Sequence, residues 1–211
     1  SQGFPDFDAP QALCDAVGRH IAQGHNQYSP MTGLPALRQQ VSAKIARCYG
    51  VQVDADHEVT ITPGATQAIF CAIQAVIHSG DEVIVFDPAY DSYEPSVELA
   101  GGRCVHVQLR DGDFRIDWQK FSEALSPRTR MVILNSPHNP SGALITRAEL
   151  DQLAALIADR DIYVLSDEVY EHLVYDGARH ASVLAHEALY ARAFVVSSFG
   201  KTYHVTGWKT G

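Results

Sequence analysis

The 211 residues carry 16 Lys and Arg against 25 Asp and Glu, a formal net charge of -9, with 46% hydrophobic residues. That length and composition allow a real core in one large domain or two small ones. The acidic balance and the lack of a basic stripe argue against a nucleic-acid partner, which needs clustered cations.

Other features narrow the class further. No apolar run is long enough to span a bilayer, and no basic segment followed by an apolar signal core stands at the N-terminus, so a membrane partner is not expected. Cys14, Cys48, Cys71 and Cys104 are scattered and form no CxxC pair. They read as buried thiols of a reducing, cytoplasmic compartment, with no disulfide framework and no zinc site.

Short apolar runs alternate with longer amphipathic segments. Leu34, Leu37, Val41 and Ile45 fall on one helical face that stops at Gly50, a C-terminal cap. Val59–Thr62 reads as a strand. Pro63-Gly64-Ala65-Thr66 then turns into a helix that buries Ile69, Ile73, Val76 and Ile77 and ends at Ser79-Gly80. Val83–Phe86 and Cys104–Leu109 read as strands. Asp117 caps a short helix carrying Trp118, Phe121 and Leu125, and Met131–Asn135 follows as a strand. Thr146-Arg147-Ala148-Glu149 fits a capping box ahead of Leu150, Leu153 and Ile157. Ile162–Ser166 and Phe194–Ser198 complete the strands.

Strands of four to six apolar residues alternating with helices imply crossover connections. The expected architecture is α/β, a three-layer α/β/α arrangement around a mainly parallel sheet. No internal repeat, low-complexity tract or linker interrupts it.

Ligands in such sheets collect at the carboxyl ends of the strands, and four of those ends carry unusual chemistry. Pro63-Gly64-Ala65-Thr66-Gln67 offers a Gly and the free N–H groups of a helix start, suited to an anion or simply to a strand-to-helix turn. Asn135-Ser136-Pro137-His138-Asn139-Pro140-Ser141-Gly142 fixes its path with two prolines and presents the Asn139 amide. Asp167, in Ser166-Asp167-Glu168-Val169-Tyr170, follows a buried run and needs a cationic or donor partner, unless it caps the next segment. Lys201, at the end of Ser197-Ser198-Phe199-Gly200-Lys201, is either a surface charge or a partly desolvated amine able to form a Schiff base. His138 and His204 lie beside these strings without metal-ligand spacing, and read as packing or hydrogen-bonding residues.

These four strings, in this order, resemble the fold type I aminotransferases that depend on pyridoxal 5'-phosphate (PLP). Asn26-Gln27-Tyr28-Ser29-Pro30, Phe86-Asp87-Pro88-Ala89-Tyr90-Asp91-Ser92-Tyr93 and Thr206-Gly207-Trp208-Lys209 extend the resemblance. Gln2-Gly3-Phe4-Pro5-Asp6-Phe7 and the segment through Glu94-Pro95 are most similar to the methionine, kynurenine and aromatic aminotransferase group.

The resemblance implies a role for each matched residue. Lys201 would hold PLP as a Schiff base and move the substrate Cα proton, and Asp167 would pair with the pyridine nitrogen. Tyr170 and Asn139 would bond the cofactor's phenolic oxygen, and Tyr90 would stack on its ring. The Ala65 and Thr66 amides, Ser198 and Lys209 would hold the phosphate. Tyr28 would reach the phosphate of a neighbouring subunit, implying a homodimer with shared sites, and Gly3 would line the substrate carboxylate pocket with Asn139.

On this basis residues 1–33 form an N-terminal segment and 34–211 the PLP-binding large domain. Family members also carry an N-terminal arm and, after the Lys209 region, a further strand and a C-terminal small domain. The resemblance therefore implies a piece of the large domain, without the arginine that clamps the substrate carboxylate. The implied reaction is ping-pong transamination between an L-amino acid and a 2-oxo acid. A PLP-dependent carbon-sulfur β-lyase acting on cysteine conjugates uses the same residues, and a PLP-sensing regulator of transcription is a third reading.

Overall fold

Five short apolar runs pair side by side, all parallel, in the order β2-β1-β3-β4-β5. In the computed structural model, which describes residues 7–211, the elements in chain order are α1 (Gln11–Ala22), α2 (Pro35–Tyr49), α3 (Ala65–Val76), β1 (Glu82–Asp87), α4 (Tyr93–Leu99), β2 (Arg103–Gln108) and α5 (Trp118–Ala124). They continue with β3 (Thr129–Asn135), α6 (Arg147–Leu156), β4 (Tyr163–Asp167), α7 (Glu187–Tyr190), β5 (Ala193–Val196) and α8 (Phe199–Thr202). The chain divides into two compact units, one of residues up to 65 together with 198–211 and one of residues 66–197.

The sheet lies in the 66–197 unit, and its central strands β1, β3 and β4 are buried on both faces, whereas β2 alternates buried with exposed residues. Ile84, Phe86, Val132, Leu134 and Val164 form one core with Phe121 of α5 and Leu150 and Leu153 of α6. The alternating residues Val83, Val85, Met131, Ile133 and Leu165 are buried as well, as are Ile69 and Ile73 of α3 and Val97 of α4. Covering both faces is what makes these strands continuous apolar runs. Local signals then fix the helix starts. Asp117 accepts from the backbone of Gln119 and Lys120 at the start of α5, and Thr146 and Glu149 close a capping box on α6.

The strand order locates a site. From β1 the chain steps to β2 on one side, then crosses back over β1 to β3 and continues outward through β4 and β5. The direction reverses between β1 and β3, and a crevice opens at the carboxyl ends of strands at such a switch point.

In the other unit α2 ends at Gly50, which is left-handed and returns its N–H to Ala46. Arg38 of α2 is buried, donates to the carbonyls of Gly33 and Ala55, and pairs with Asp56 at 3.0 Å.

Three expectations are corrected. Val59–Thr62 forms no strand: the Ile61 N–H goes to Thr32 and the Thr62 N–H to Gly211, so the segment has isolated partners and no ladder. The last strand stops at Val196, because Ser198 already stands at the N-cap position of α8. Only Cys104 is a buried thiol, pushed up to about 12 by burial, whereas Cys48 and Cys71 are exposed.

At the opposite end of the sheet Glu82, 2% exposed, accepts from Ser126 at 2.6 Å, Arg103 at 2.7 Å and Arg128 at 2.6 Å. Ser126 first, then the two arginines, hold its carboxyl down to about 2. A depressed carboxyl stabilises the fold above its unfolded value near 4.5 and loses that contribution as pH falls toward 2. Glu82→Gln is expected to destabilise the protein by about 2 kcal/mol at pH 7. The gap from wild type, measured by urea unfolding, is expected to close between pH 4.5 and the lower limit of about 2.

Candidate active site

In the 66–197 unit, β1, β3 and β4 each deliver chemistry at their carboxyl ends. Asp167 closes β4 in register with Asn135, the last residue of β3, and is 4% exposed. Its Oδ2 accepts a 2.6 Å hydrogen bond from the Tyr93 hydroxyl, and its Oδ1 a longer one of 3.3 Å from the Val169 N–H. Its backbone carbonyl accepts from the Asn135 side-chain amide at 3.0 Å and from the Ser136 N–H at 3.1 Å. Among the described residues of this unit, only neutral donors meet the carboxylate. Burial pushes it up to about 6, Tyr93 and Val169 oppose that rise, and Glu168 adds to it.

Asn135 also orders the loop that presents Asn139, because its Oδ1 accepts the Asn139 N–H at 2.7 Å. His138 joins this loop to the one after β1. Burial lowers its pKa, so the ring is neutral, with Nε2–H donating to the Pro88 carbonyl at 3.0 Å and Nδ1 accepting from Ser141 Oγ at 2.7 Å. A cavity of about 30 Å³ lies there, lined by Tyr90, Tyr93, Asn135 and His138 among others.

Two further phenols complete this half. The half-buried Tyr90 meets Tyr93 edge to face, with centroids 5.6 Å apart at 75°. Tyr170 follows β4 in a turn closed by the Leu173 N–H on its carbonyl. Burial, then Asp167 and Tyr90, raise its hydroxyl above the usual range.

The other unit gathers Ala65, Ser198, Lys201 and Lys209. Gly64 sits at φ +85 directly before Ala65 opens α3, and a Cβ there would lie 3.2 Å from Lys209 Cε and Nζ. Glycine both permits the backbone and leaves the space that the ammonium occupies. Lys209 is held over that turn from two sides. Thr62 and Gly211 exchange both backbone hydrogen bonds, at 2.8 and 3.0 Å, and the Phe199 N–H donates to Thr210 at 3.1 Å. This reciprocal pair is a single antiparallel pairing that is not extended into a ladder among the described residues.

Ser198 is the N-cap residue of α8, and the half-buried Lys201 lies within that helix. A Cβ on Gly200 would come within 3.0 Å of Thr206 Cα, so the close packing of α8 on the Thr206–Trp208 turn needs glycine. Together these residues offer an anion the start of α3 and a cation, with an amine nearby in the chain.

The remaining expected residues are placed as follows. Thr66 is exposed in the first turn of α3, and Tyr28 is fully exposed. Gly3 lies outside the described residues. Tyr93 and Asn135 carry structural roles at the site that sequence reasoning did not assign. The three-residue spacing from Tyr90 to Tyr93 was a usable signal for the first, because it puts both on one face of a turn. Asn135 had none beyond closing an apolar run.

Across residues 1–211 the chain matches the model of the aminotransferase class I and II family. It is 54% identical over 211 residues to methionine aminotransferase of Escherichia coli (strain K12), covering 100% of this chain and 55% of that protein. It is 35% identical over 224 residues to human kynurenine–oxoglutarate transaminase 1, covering 100% of this chain and 53% of the relative. Among solved structures, YbdL from Escherichia coli, identified with a methionine aminotransferase function, superposes with a TM-score of 0.98 at 55% identity. That match covers 100% of this chain and 56% of the other. The chain spans about half the length of the curated relatives it matches. With a family match over its whole length and this conservation of fold, the chain belongs to the class I and II aminotransferases.

Proposed function

We propose that this chain carries the cofactor-binding part of a PLP-dependent aminotransferase. The reaction transfers an amino group from an L-amino acid, of the methionine, aromatic or kynurenine type, to a 2-oxo acid by a ping-pong sequence. The observation that carries the reading is the buried Asp167 carboxylate, met only by neutral donors in its unit and pushed up to about 6 by burial. A protonated pyridine nitrogen is the cation that such a carboxylate lacks. The Gly64 turn beneath the Lys209 ammonium suits the phosphate in the same way, since a Cβ at position 64 would intrude on Lys209. Both observations fit PLP.

When bound, PLP supplies an electron sink for the charge that develops at the amino acid's Cα. The chain's own residues do the rest. Lys201 would provide the amine that anchors the cofactor and a base able to take and return the Cα proton. Asp167 holds the ring nitrogen's proton. Tyr170 and Asn139 offer hydrogen bonds to the phenolic oxygen, and Tyr90 offers a ring face. Ala65, Thr66, Ser198 and Lys209 would bind the phosphate, and Asn139 would border the substrate, the role that the family resemblance also gives to Gly3.

The exposed Tyr28 and Met31 support a homodimer in which Tyr28 reaches a partner's site. Among the described residues no helix is long and apolar enough to cross a membrane. The unpaired thiols agree with a cytoplasmic setting.

Two substitutions in the full-length protein test this reading. Lys201→Ala is expected to abolish the absorbance of lysine-bound PLP and to lower methionine-dependent transamination by roughly a thousandfold or more. Survival of both would exclude the assignment. Asp167→Asn is expected to weaken PLP binding yet stabilise the cofactor-free protein. A carboxyl raised from 3.8 to about 6 makes wild-type stability fall as pH rises through that interval. The mutant's advantage in thermal unfolding is thus expected to be absent below pH 3.8, to grow up to about 6, and to reach about 3 kcal/mol above it. A difference independent of pH would show that the carboxylate is not the source.

A further inference from the structure

Tyr93 is 3% exposed, and a buried phenol must find a partner for its hydroxyl. Its partner is Asp167 Oδ2 at 2.6 Å, the length of a charge-assisted O–H···O bond, whereas the other carboxylate oxygen has only the 3.3 Å contact from Val169. The same ring packs edge to face against Tyr90 at 5.6 Å. Tyr93 therefore touches both residues assigned to the cofactor ring in this unit, the one at its nitrogen and the one at its face.

We propose that Tyr93 is a positioning residue for the PLP ring, aiming the Asp167 carboxylate at the pyridine nitrogen and bracing Tyr90 for stacking. The proposal rests on the PLP reading above and adds a residue to it. Three physical features support it. The hydrogen bond restricts rotation of the Asp167 side chain, which its single strong donor would otherwise leave to a weak backbone contact. Tyr93 is locked as the donor, because burial first and then Asp167 hold its hydroxyl well above the usual range. Finally, the bond favours the ionised carboxylate against burial and the neighbouring Glu168, the other charge acting on it. Burial first, then Asp167 and Tyr90, also hold the Tyr170 hydroxyl above the usual range, so it carries no charge and leaves that balance to Tyr93.

The test is Tyr93→Phe in the full-length protein, which keeps the ring and removes the hydroxyl. Titration of the 13C-labelled Asp167 carboxyl in PLP-free protein is expected to show its midpoint moved upward by about one pH unit, a tenfold change in the proton equilibrium. The dissociation constant for PLP, followed by fluorescence at pH 8, is expected to rise about tenfold. Near-UV circular dichroism before PLP is added reports whether the variant keeps its fold. Tyr93→Leu, which also removes the brace on Tyr90, is expected to weaken PLP binding beyond Tyr93→Phe.

If wild type binds PLP while Tyr93→Phe shows unchanged affinity and an unchanged Asp167 midpoint, the Tyr93 role is overturned and the function stands. If wild type itself takes up no PLP, the function is overturned, and the Tyr93 role with it.

Discussion

Burying the Asp167 carboxylate at the end of an interior strand is the constraint to which the surrounding chain answers. An ionised carboxylate taken out of water costs several kcal/mol unless it is paired and hydrogen-bonded. The sheet meets part of that demand by fixing the backbone. The Asp167 carbonyl takes two donors from the end of β3, and the next N–H, of Glu168, donates to Val196 at 2.7 Å. The side chain then depends on Tyr93, 74 residues away in sequence, which enters from the first turn of α4 after β1. This meeting is possible because the strand order reverses between β1 and β3, so the loops after both open toward the same crevice. His138 and Asn135 hold those loops in register, one by reaching Pro88 and the other by reaching Asn139.

The sequence makes the sheet legible because the central strands β1, β3 and β4 are short, mostly apolar runs buried on both faces, and the caps at Asp117 and Thr146 are local chemistry that needs no tertiary knowledge. Elements whose signals are not local escape it. None of the residues of α1 is buried, so Leu13, Val17 and Ile21 at helical spacing mark a face whose partner the sequence does not show, and α4 contains Pro95, which reads as a breaker although the first turn tolerates it. Val59–Thr62 has the composition of a strand, but its backbone partners are Thr32 and Gly211, far apart in the chain, which composition does not reveal. At the site, the polar residues after each strand stand out by type. Tyr93 and Asn135 act through partners that only the fold brings near, and apart from the spacing of Tyr93 from Tyr90, a Tyr or an Asn beside a strand has too many ordinary uses to be singled out.

The consecutive acids at the end of β4 show most directly what distinguishes a structural carboxylate from a functional one. Asp167 and Glu168 are both almost fully buried, 4% and 2% exposed, and they meet the same desolvation cost in different ways. Glu168 is satisfied by the protein: Ser166 Oγ at 2.9 Å and the Val183 N–H at 2.9 Å donate to Oε1, and His180 Nε2 lies 2.7 Å from Oε2. Those bonds pin the segment that carries Tyr170 back onto the sheet, because their far ends lie 12 and 15 residues further along the chain. Asp167, one residue earlier, receives one short bond and one long one. A fold that needed only stability could have met Asp167 with a cation, or replaced it by an apolar residue at no loss. Keeping a buried carboxylate half satisfied, beside one that is fully satisfied, is the arrangement expected where the missing charge arrives with a ligand.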